Sequence, residues 1–309
     1  MENFKTLMPW FRLVRLPNLL TVPGDPVAGF LLAAAGVSPQ PRLAALLAAA
    51  GASLCLYVFG LILNDIVDVE TDRVERSERP LPSGQITVPQ ARMAAIAMGL
   101  SGLNLALAAG RPALYVAAVL AGLIVLYNGV LKRVPVAGVV AMGLCRGLSL
   151  LLGAVAVRQG FDAVAGAPAV ALAAAGGVAV YVAAFSRVAA GEMAEEKPMG
   201  AGRWLPFGAL LLALPAVLAA AYAARKPDAV TPTVYVFLMV MALMRAWLLG
   251  GLMYVAQPLP ATVGGHIRNL LTVQACLCVA AGPTGVLPAI LFVLFSLVFT
   301  RVSARFYSS

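Results

Sequence analysis

Charge is what this sequence has least of. Only 11% of its 309 residues are Asp, Glu, Lys or Arg, the acidic ones number 13, and there is a single histidine, against 61% hydrophobic residues and a mean hydropathy of +0.92. That deficit excludes an ordinary water-soluble domain, whose surface area outgrows the core available to hide so much apolar material. Cysteine is also sparse. Cys55, Cys145, Cys276 and Cys278 all lie in apolar stretches without metal-ligand spacing, so they read as small buried hydrophobes rather than thiolate ligands. No early apolar run ends in a small-residue cleavage site, so a removable leader is not expected. Neither a strong internal repeat nor an extramembrane domain is evident, and a single domain over 1–309 is expected.

What is present is a series of apolar runs near the roughly 20 residues that a helix needs to cross hydrocarbon. Nine spans are read, at 18–36, 43–63, 88–109, 112–130, 135–157, 168–190, 204–224, 232–256 and 283–303. Turn chemistry separates them, as at Gly110-Arg111-Pro112 and Lys226-Pro227-Asp228. The fold class expected is therefore all-α, a polytopic membrane protein with about nine transmembrane helices. The apolar segment 268–282 is short for a span and is expected to be a re-entrant helix or part of the last one. Abundant small residues suit close helix packing in lipid.

The net charge of +9 is explained by topology. With the N-terminus inside, 13 of the 22 basic residues fall on the cytoplasmic side and seven on the other, the asymmetry that orients membrane proteins. The long charged loops 64–87 and 187–203 then share the cytoplasmic side. An integral location in a cytoplasmic (inner) membrane of bacterial type is expected, with membrane lipids as partners and no nucleic acid.

Six of the 13 acidic residues sit between positions 65 and 78: Asp65, Asp68, Glu70, Asp72, Glu75 and Glu78. Asp65, Asp68 and Asp72 are spaced three and then four apart, which on a helix places them on one face beside Asn64. Like charges on one face repel, so a helix that keeps them is suited to binding cations. Hard oxygen donors of this kind suit Mg²⁺, which typically binds through carboxylates together with substrate phosphates. The bland reading is a solvated acidic loop balanced by Arg73, Arg76 and Arg79.

The run Asn64-Asp65-Ile66-Val67-Asp68-Val69-Glu70-Thr71-Asp72, followed by Arg79-Pro80-Leu81-Pro82-Ser83-Gly84, resembles the first signature of the UbiA superfamily of intramembrane prenyltransferases. Tyr127-Asn128-Gly129-Val130-Leu131-Lys132 is similar to that family's Tyr-Ser-Pro-x-x-Lys segment, with Asn in place of Ser, and Arg15-Leu16-Pro17-Asn18 is similar to its N-terminal segment. The resemblance implies a UbiA-like bundle in which Mg²⁺ holds a prenyl diphosphate between two acidic motifs. Preorganised cations would neutralise the departing pyrophosphate, and a water-poor chamber would protect the allylic carbocation until an unidentified small or lipid acceptor is alkylated. It implies Asn64, Asp65, Asp68 and Asp72 as metal ligands, Arg79 and Lys132 as phosphate contacts, and Asn18 and Tyr127 as substrate contacts.

The family's second acidic motif, Asp-x-x-x-Asp, is absent in its usual form. The corresponding stretch carries Arg187, Glu192 and Glu196. Three readings stand: Glu192 and Glu196 bind a second metal, Arg187 acts as a phosphate clamp instead, or the loop is merely solvated. Within spans lie Asp25, Arg146 and Arg245, each costly enough in hydrocarbon to face the bundle interior. Asp25, in Pro23-Gly24-Asp25-Pro26, should interrupt the first helix; it either handles an acceptor or pairs with Arg146, which otherwise reaches the diphosphate. Arg245 reads as a packing ion pair or a snorkelling residue, and His266 as an interfacial loop residue without a partner. Three functions compete: a prenyltransferase, a prenyl diphosphate cyclase or hydrolase, and a UbiA-like lipid-binding or transport-associated protein without catalysis.

Overall fold

Apolar runs broken by Pro, Gly and charge become helices, and the computed structural model is built of them. It describes residues 2–35, 37, 43–157, 168–190, 200–224, 230–252 and 259–306. Helices α1 (Glu2–Leu13), α2 (Leu16–Leu19) and α3 (Gly24–Ala34) lead into α4 (Leu43–Val67) and the short α5 (Val69–Glu75). Then follow α6 (Val88–Ala109), α7 (Arg111–Gly129), α8 (Pro135–Val155), α9 (Ala169–Ala190), α10 (Leu205–Ala224), α11 (Val230–Leu252), α12 (Leu259–Ala280) and α13 (Val286–Phe306). Among the described residues, seven of these are long and apolar enough to cross a membrane, while Gly24–Ala34 and Pro283–Leu297 are shorter apolar helices.

Two apolar clusters organise the bundle. One joins α3, α4, α6, α7 and α8 through residues such as Phe30, Ala52, Leu56, Leu120 and Leu152. The other joins α3 and α8 to α9–α13 through Leu32, Leu150, Tyr181, Leu210, Tyr235 and Leu271. Helices α3 and α8 belong to both because glycine lets them touch. A Cβ at Gly29 would collide with the Leu150 carbonyl, and one at Gly153 with the backbone of Pro26. Such close approach maximises van der Waals contact where lipid supplies no hydrophobic driving force. Gly153→Ala is therefore expected to cost about 1–3 kcal/mol, the range for overpacking, read as a lower unfolding temperature in detergent. Gly122→Ala, at a position with nothing within 4 Å of the added Cβ, should leave that temperature unchanged; equal effects would refute the close crossing.

The nine apolar runs correspond to α3, α4 and α6–α11 with α13, and the first is interrupted, as expected near Pro23-Gly24-Asp25-Pro26: turns at Leu20–Pro23 separate α2 from an 11-residue α3. Other expectations are revised. Segment 268–282 is not a short separate piece: through Ala280 it forms the C-terminal part of α12, a 22-residue helix, and every residue from Asn269 to Ala280 is buried. His266 is not a loop residue either. It is fully buried on α12, its Nδ1 lies 3.1 Å from Tyr181 Oη, and its ring stacks on Phe185 at 6.0 Å between centroids. Asn269 donates to Tyr181 Oη at 3.2 Å and to the Ala242 carbonyl at 3.0 Å. Arg245 finds hydroxyls rather than a counter-ion, donating to Thr272 Oγ1 at 2.8 Å and Ser296 Oγ at 2.7 Å across α11, α12 and α13.

Candidate functional site

At the C-terminal end of α4 the helix breaks at Asp68, whose φ of −90° and ψ of 0° separate α4 from α5. The i→i+4 bonds persist through the joint, from Asp68 N–H to Asn64 O at 3.0 Å and from Asp72 N–H to Asp68 O at 2.8 Å. The three-and-four spacing therefore still aligns the carboxylates. Burial sorts the six acids: Asp65 and Asp72 are buried and Asp68 half-buried, whereas Glu70, Glu75 and Glu78 are exposed. Glu70 is occupied by Arg73, on the outer face, at 2.8 Å.

A loop anchored by its own small core covers this corner. Leu81 and Ile86 pack with Leu13, Ile62 and Val69, and Thr87 with Gln90 forms a capping box that starts α6. That placement brings Arg79 onto Asp72, with Nη1 2.7 Å from Oδ2, while Arg76 Nη1 stands 4.0 Å from Oδ1. The turn after α7 carries Lys132 onto Asp68. Gly138 makes that turn possible, because a Cβ there would press on Leu131 O at 3.1 Å and Lys132 Cα at 3.3 Å. Arg15 completes the ring, its Nη2 3.3 Å from Asp65 Oδ1. It does so from a left-handed backbone, φ 48°, a conformation that costs a non-glycine residue energy and is tolerated where surroundings enforce it.

Below the acids opens a chamber of about 300 Å³ between α4, α7 and α8. Arg15, Asn18, Asn64, Tyr127 and Asn128 line it, as do Arg146, Ser53 and Ser149, and the rest of its wall is largely apolar. Asn128 donates to Ile124 O at 2.9 Å but its buried Oδ1 has no hydrogen-bond partner. An unpaired buried acceptor of that kind is costly unless something else uses it.

Asp25 does not line the chamber. It is fully buried behind Arg146, with Oδ2 3.1 Å from Nη1, and its Oδ1 accepts from Gln274 Nε2 at 2.7 Å. Arg146 Nη2 also donates to Thr21 Oγ1 at 3.1 Å and to Thr21 O at 3.2 Å. The pairing reading of Asp25 is thus the one the geometry matches, and Arg146 is engaged by it rather than by the acidic cluster. Arg187 stands exposed in the last turn of α9 and does not line the chamber. Glu192 and Glu196 lie outside the described residues. Sequence reasoning missed Arg15 and Asn128 as site members although both stood inside quoted motifs, and it missed Ser53 and Ser149 because small hydroxyls in an apolar run carry no signal.

Among the described residues no three acidic, histidine or cysteine side chains converge so that they alone could hold a metal ion. The donor chemistry nonetheless fits Mg²⁺, which needs only one or two carboxylates when phosphate oxygens and water complete its shell. Three carboxylates with hard oxygens, the amide of Asn64 and the adjacent cations Arg15, Arg79 and Lys132 make a corner suited to an anion delivered with a metal.

Together these features define a helical, membrane-capable bundle with a charged corner above an apolar chamber. The chain belongs to the UbiA prenyltransferase family, whose sequence profile matches residues 26–261. It is 34% identical over 160 residues to the digeranylgeranylglyceryl phosphate synthase of Ignicoccus hospitalis, covering 52% of this chain and 50% of that one. The chain spans about half the length of the curated relatives it matches. The fold is that of an apo UbiA homolog from Aeropyrum pernix K1, with a TM-score of 0.64 at 19% identity, covering 84% of this chain and 96% of the other. A UbiA homolog from Archaeoglobus fulgidus bound to DMAPP and Mg²⁺ matches with a TM-score of 0.53 at 16% identity, over 86% and 99% of the two chains.

Proposed function

We propose that this chain is an intramembrane prenyltransferase that ionises a prenyl diphosphate with the help of Mg²⁺ and transfers the prenyl group to an acceptor. The observation that carries this reading is the juxtaposition of Asp65, Asp68 and Asp72, each paired with a cation, directly above a mostly apolar chamber. Asn64, Asp65, Asp68 and Asp72 would hold the metal, which supplies Lewis-acid neutralisation of the diphosphate. Arg15, Arg79 and Lys132 would exchange their carboxylate partners for phosphate oxygens, forming charge-assisted bonds that strengthen as negative charge gathers on the leaving group. The carbon–oxygen bond at C1 breaks, pyrophosphate leaves with the electron pair, and the acceptor nucleophile bonds to C1 and loses its proton. Leu56, Leu61, Leu120 and Ile124 would surround the tail and exclude water. On the second acidic side we retain either Glu192 with Glu196 as ligands of a second metal or Arg187 as a phosphate clamp. The names of the archaeal relatives make a glyceryl phosphate lipid the first acceptor to try, and the cytoplasm-facing orientation of the corner belongs to the same proposal.

A second reading, a lipid-holding protein without turnover, draws on one observation: each carboxylate of the first motif is already compensated by a basic side chain. Purified protein given farnesyl or geranylgeranyl diphosphate, Mg²⁺ and candidate acceptors separates the two. The enzyme reading expects pyrophosphate release that EDTA stops; binding with no release under any acceptor would favour the lipid holder.

A further inference from the structure

The chamber has a floor. On α4 its wall is one stripe, Ser53, Leu56, Tyr57, Gly60, Leu61 and Asn64, with the three-and-four spacing of a single helix face. From Asn64 at the acidic mouth down to Ser53 the helix runs about 16 Å, at about 1.5 Å per residue. There Ser53 Oγ meets Ser149 Oγ at 2.6 Å, bridging α4 and α8, and both residues are buried and line the chamber. One turn further on, neither helix lines the chamber: Ala49, Ala52 and Leu152, each 0% exposed, pack instead with Phe30 in one apolar cluster.

We propose that the Ser53–Ser149 pair fixes the length of the prenyl donor at about three isoprenoid units, an assignment that rests on the prenyl diphosphate reading of the site. Three backbone bonds advance an extended chain by about 3.8 Å, so a prenyl unit with four such bonds spans about 5 Å. Two units stop short of the serines and leave apolar wall uncovered. Three units reach them. A fourth has to fold back or leave sideways, and its burial is lost. The two hydroxyls satisfy one another, so the floor presents no unpaired polar group to a hydrocarbon tail. Their small size sets the depth, since any larger side chain at either position shortens the chamber from below. The expected donor is thus one unit shorter than the geranylgeranyl chains in the relatives' names.

The test is Mg²⁺-dependent binding of geranyl, farnesyl and geranylgeranyl thiodiphosphates to the full chain in detergent, measured by calorimetry. Farnesyl should bind tightest, with geranylgeranyl about tenfold weaker, the scale of a misfit in a packed site. Ser53→Leu should weaken farnesyl by about tenfold and leave geranyl unchanged, moving the optimum to two units. Ser149→Leu raises the same floor from the opposite helix and serves if the first variant misfolds; retained geranyl binding shows that a variant is folded. Equal affinity for farnesyl and geranylgeranyl in the wild type, or an equal loss for all three donors in folded variants, overturns the floor and leaves the donor site standing. Mg²⁺-dependent binding of none of the three overturns both.

Discussion

Asp72→Asn is expected to abolish the Mg²⁺ dependence of prenyl thiodiphosphate binding, with the affinity measured in Mg²⁺ falling by about a hundredfold, the scale for loss of a strong charge-assisted contact in a low-dielectric corner. Asp72 is the most buried of the three carboxylates and lies beneath Arg79 and Arg76. The amide keeps its shape but cannot balance a dication. It also releases Arg79, whose Nη1 donates to Asp72 Oδ2 at 2.7 Å, to offer its guanidinium to phosphate. The variant should therefore retain a weaker binding that chelator does not touch. Asp68→Asn should behave alike by releasing Lys132. Glu70→Gln, at an exposed carboxylate paired only with Arg73, should match wild type. Calorimetry with and without EDTA reads all three. Chelator-sensitive binding of undiminished strength in both aspartate variants would remove the metal from this site.

Arg146→Met should be strongly destabilising. It leaves Asp25, 0% exposed, with only the Gln274 contact, and stranding one member of a buried ion pair costs about 3–5 kcal/mol. Asp25→Asn in the same chain removes the orphaned charge, so the double variant should recover more than half of the loss. Thermal unfolding in detergent measures both. Simple additivity of the two single changes would show that they do not form the pair the geometry describes. A companion effect follows from Gly24, where a Cβ would overlap the Gln274 carboxamide: the first helix is interrupted so that its polar end can be read by α8 and α12.

The acidic corner was legible because charge is so rare that its clustering is informative. Spacing alone aligned Asp65, Asp68 and Asp72, and the long apolar runs marked the helices that surround them. The same argument failed at α12. A helix whose C-terminal part is enclosed by protein has less need to be apolar toward lipid, so His266, Asn269 and Gln274 diluted its hydropathy and disguised it as a short segment. Arg15 was seen only as part of a motif, since its ion pair to Asp65 spans fifty positions and depends on a left-handed residue that no periodicity announces. The chamber floor was invisible for a related reason: Ser53 and Ser149 matter through the space they leave.

The enclosure of α12 also bears on how the chain is made. Segments leave the translocon for lipid according to their own hydrophobicity, and polar residues near the middle of a helix raise that threshold. With His266, Arg268, Asn269 and Gln274 along its length, α12 is poorly equipped to enter alone. Its partners are α11 before it and α13 after it, joined to it through Arg245, Thr272 and Ser296. Insertion of α12 is accordingly expected to be a collective event that needs α13 beside it. The N-terminal interruption at Gly24–Asp25 receives its bond from Gln274 of the same helix, so the part of the bundle synthesised first has to wait for α12 to complete its hydrogen bonding.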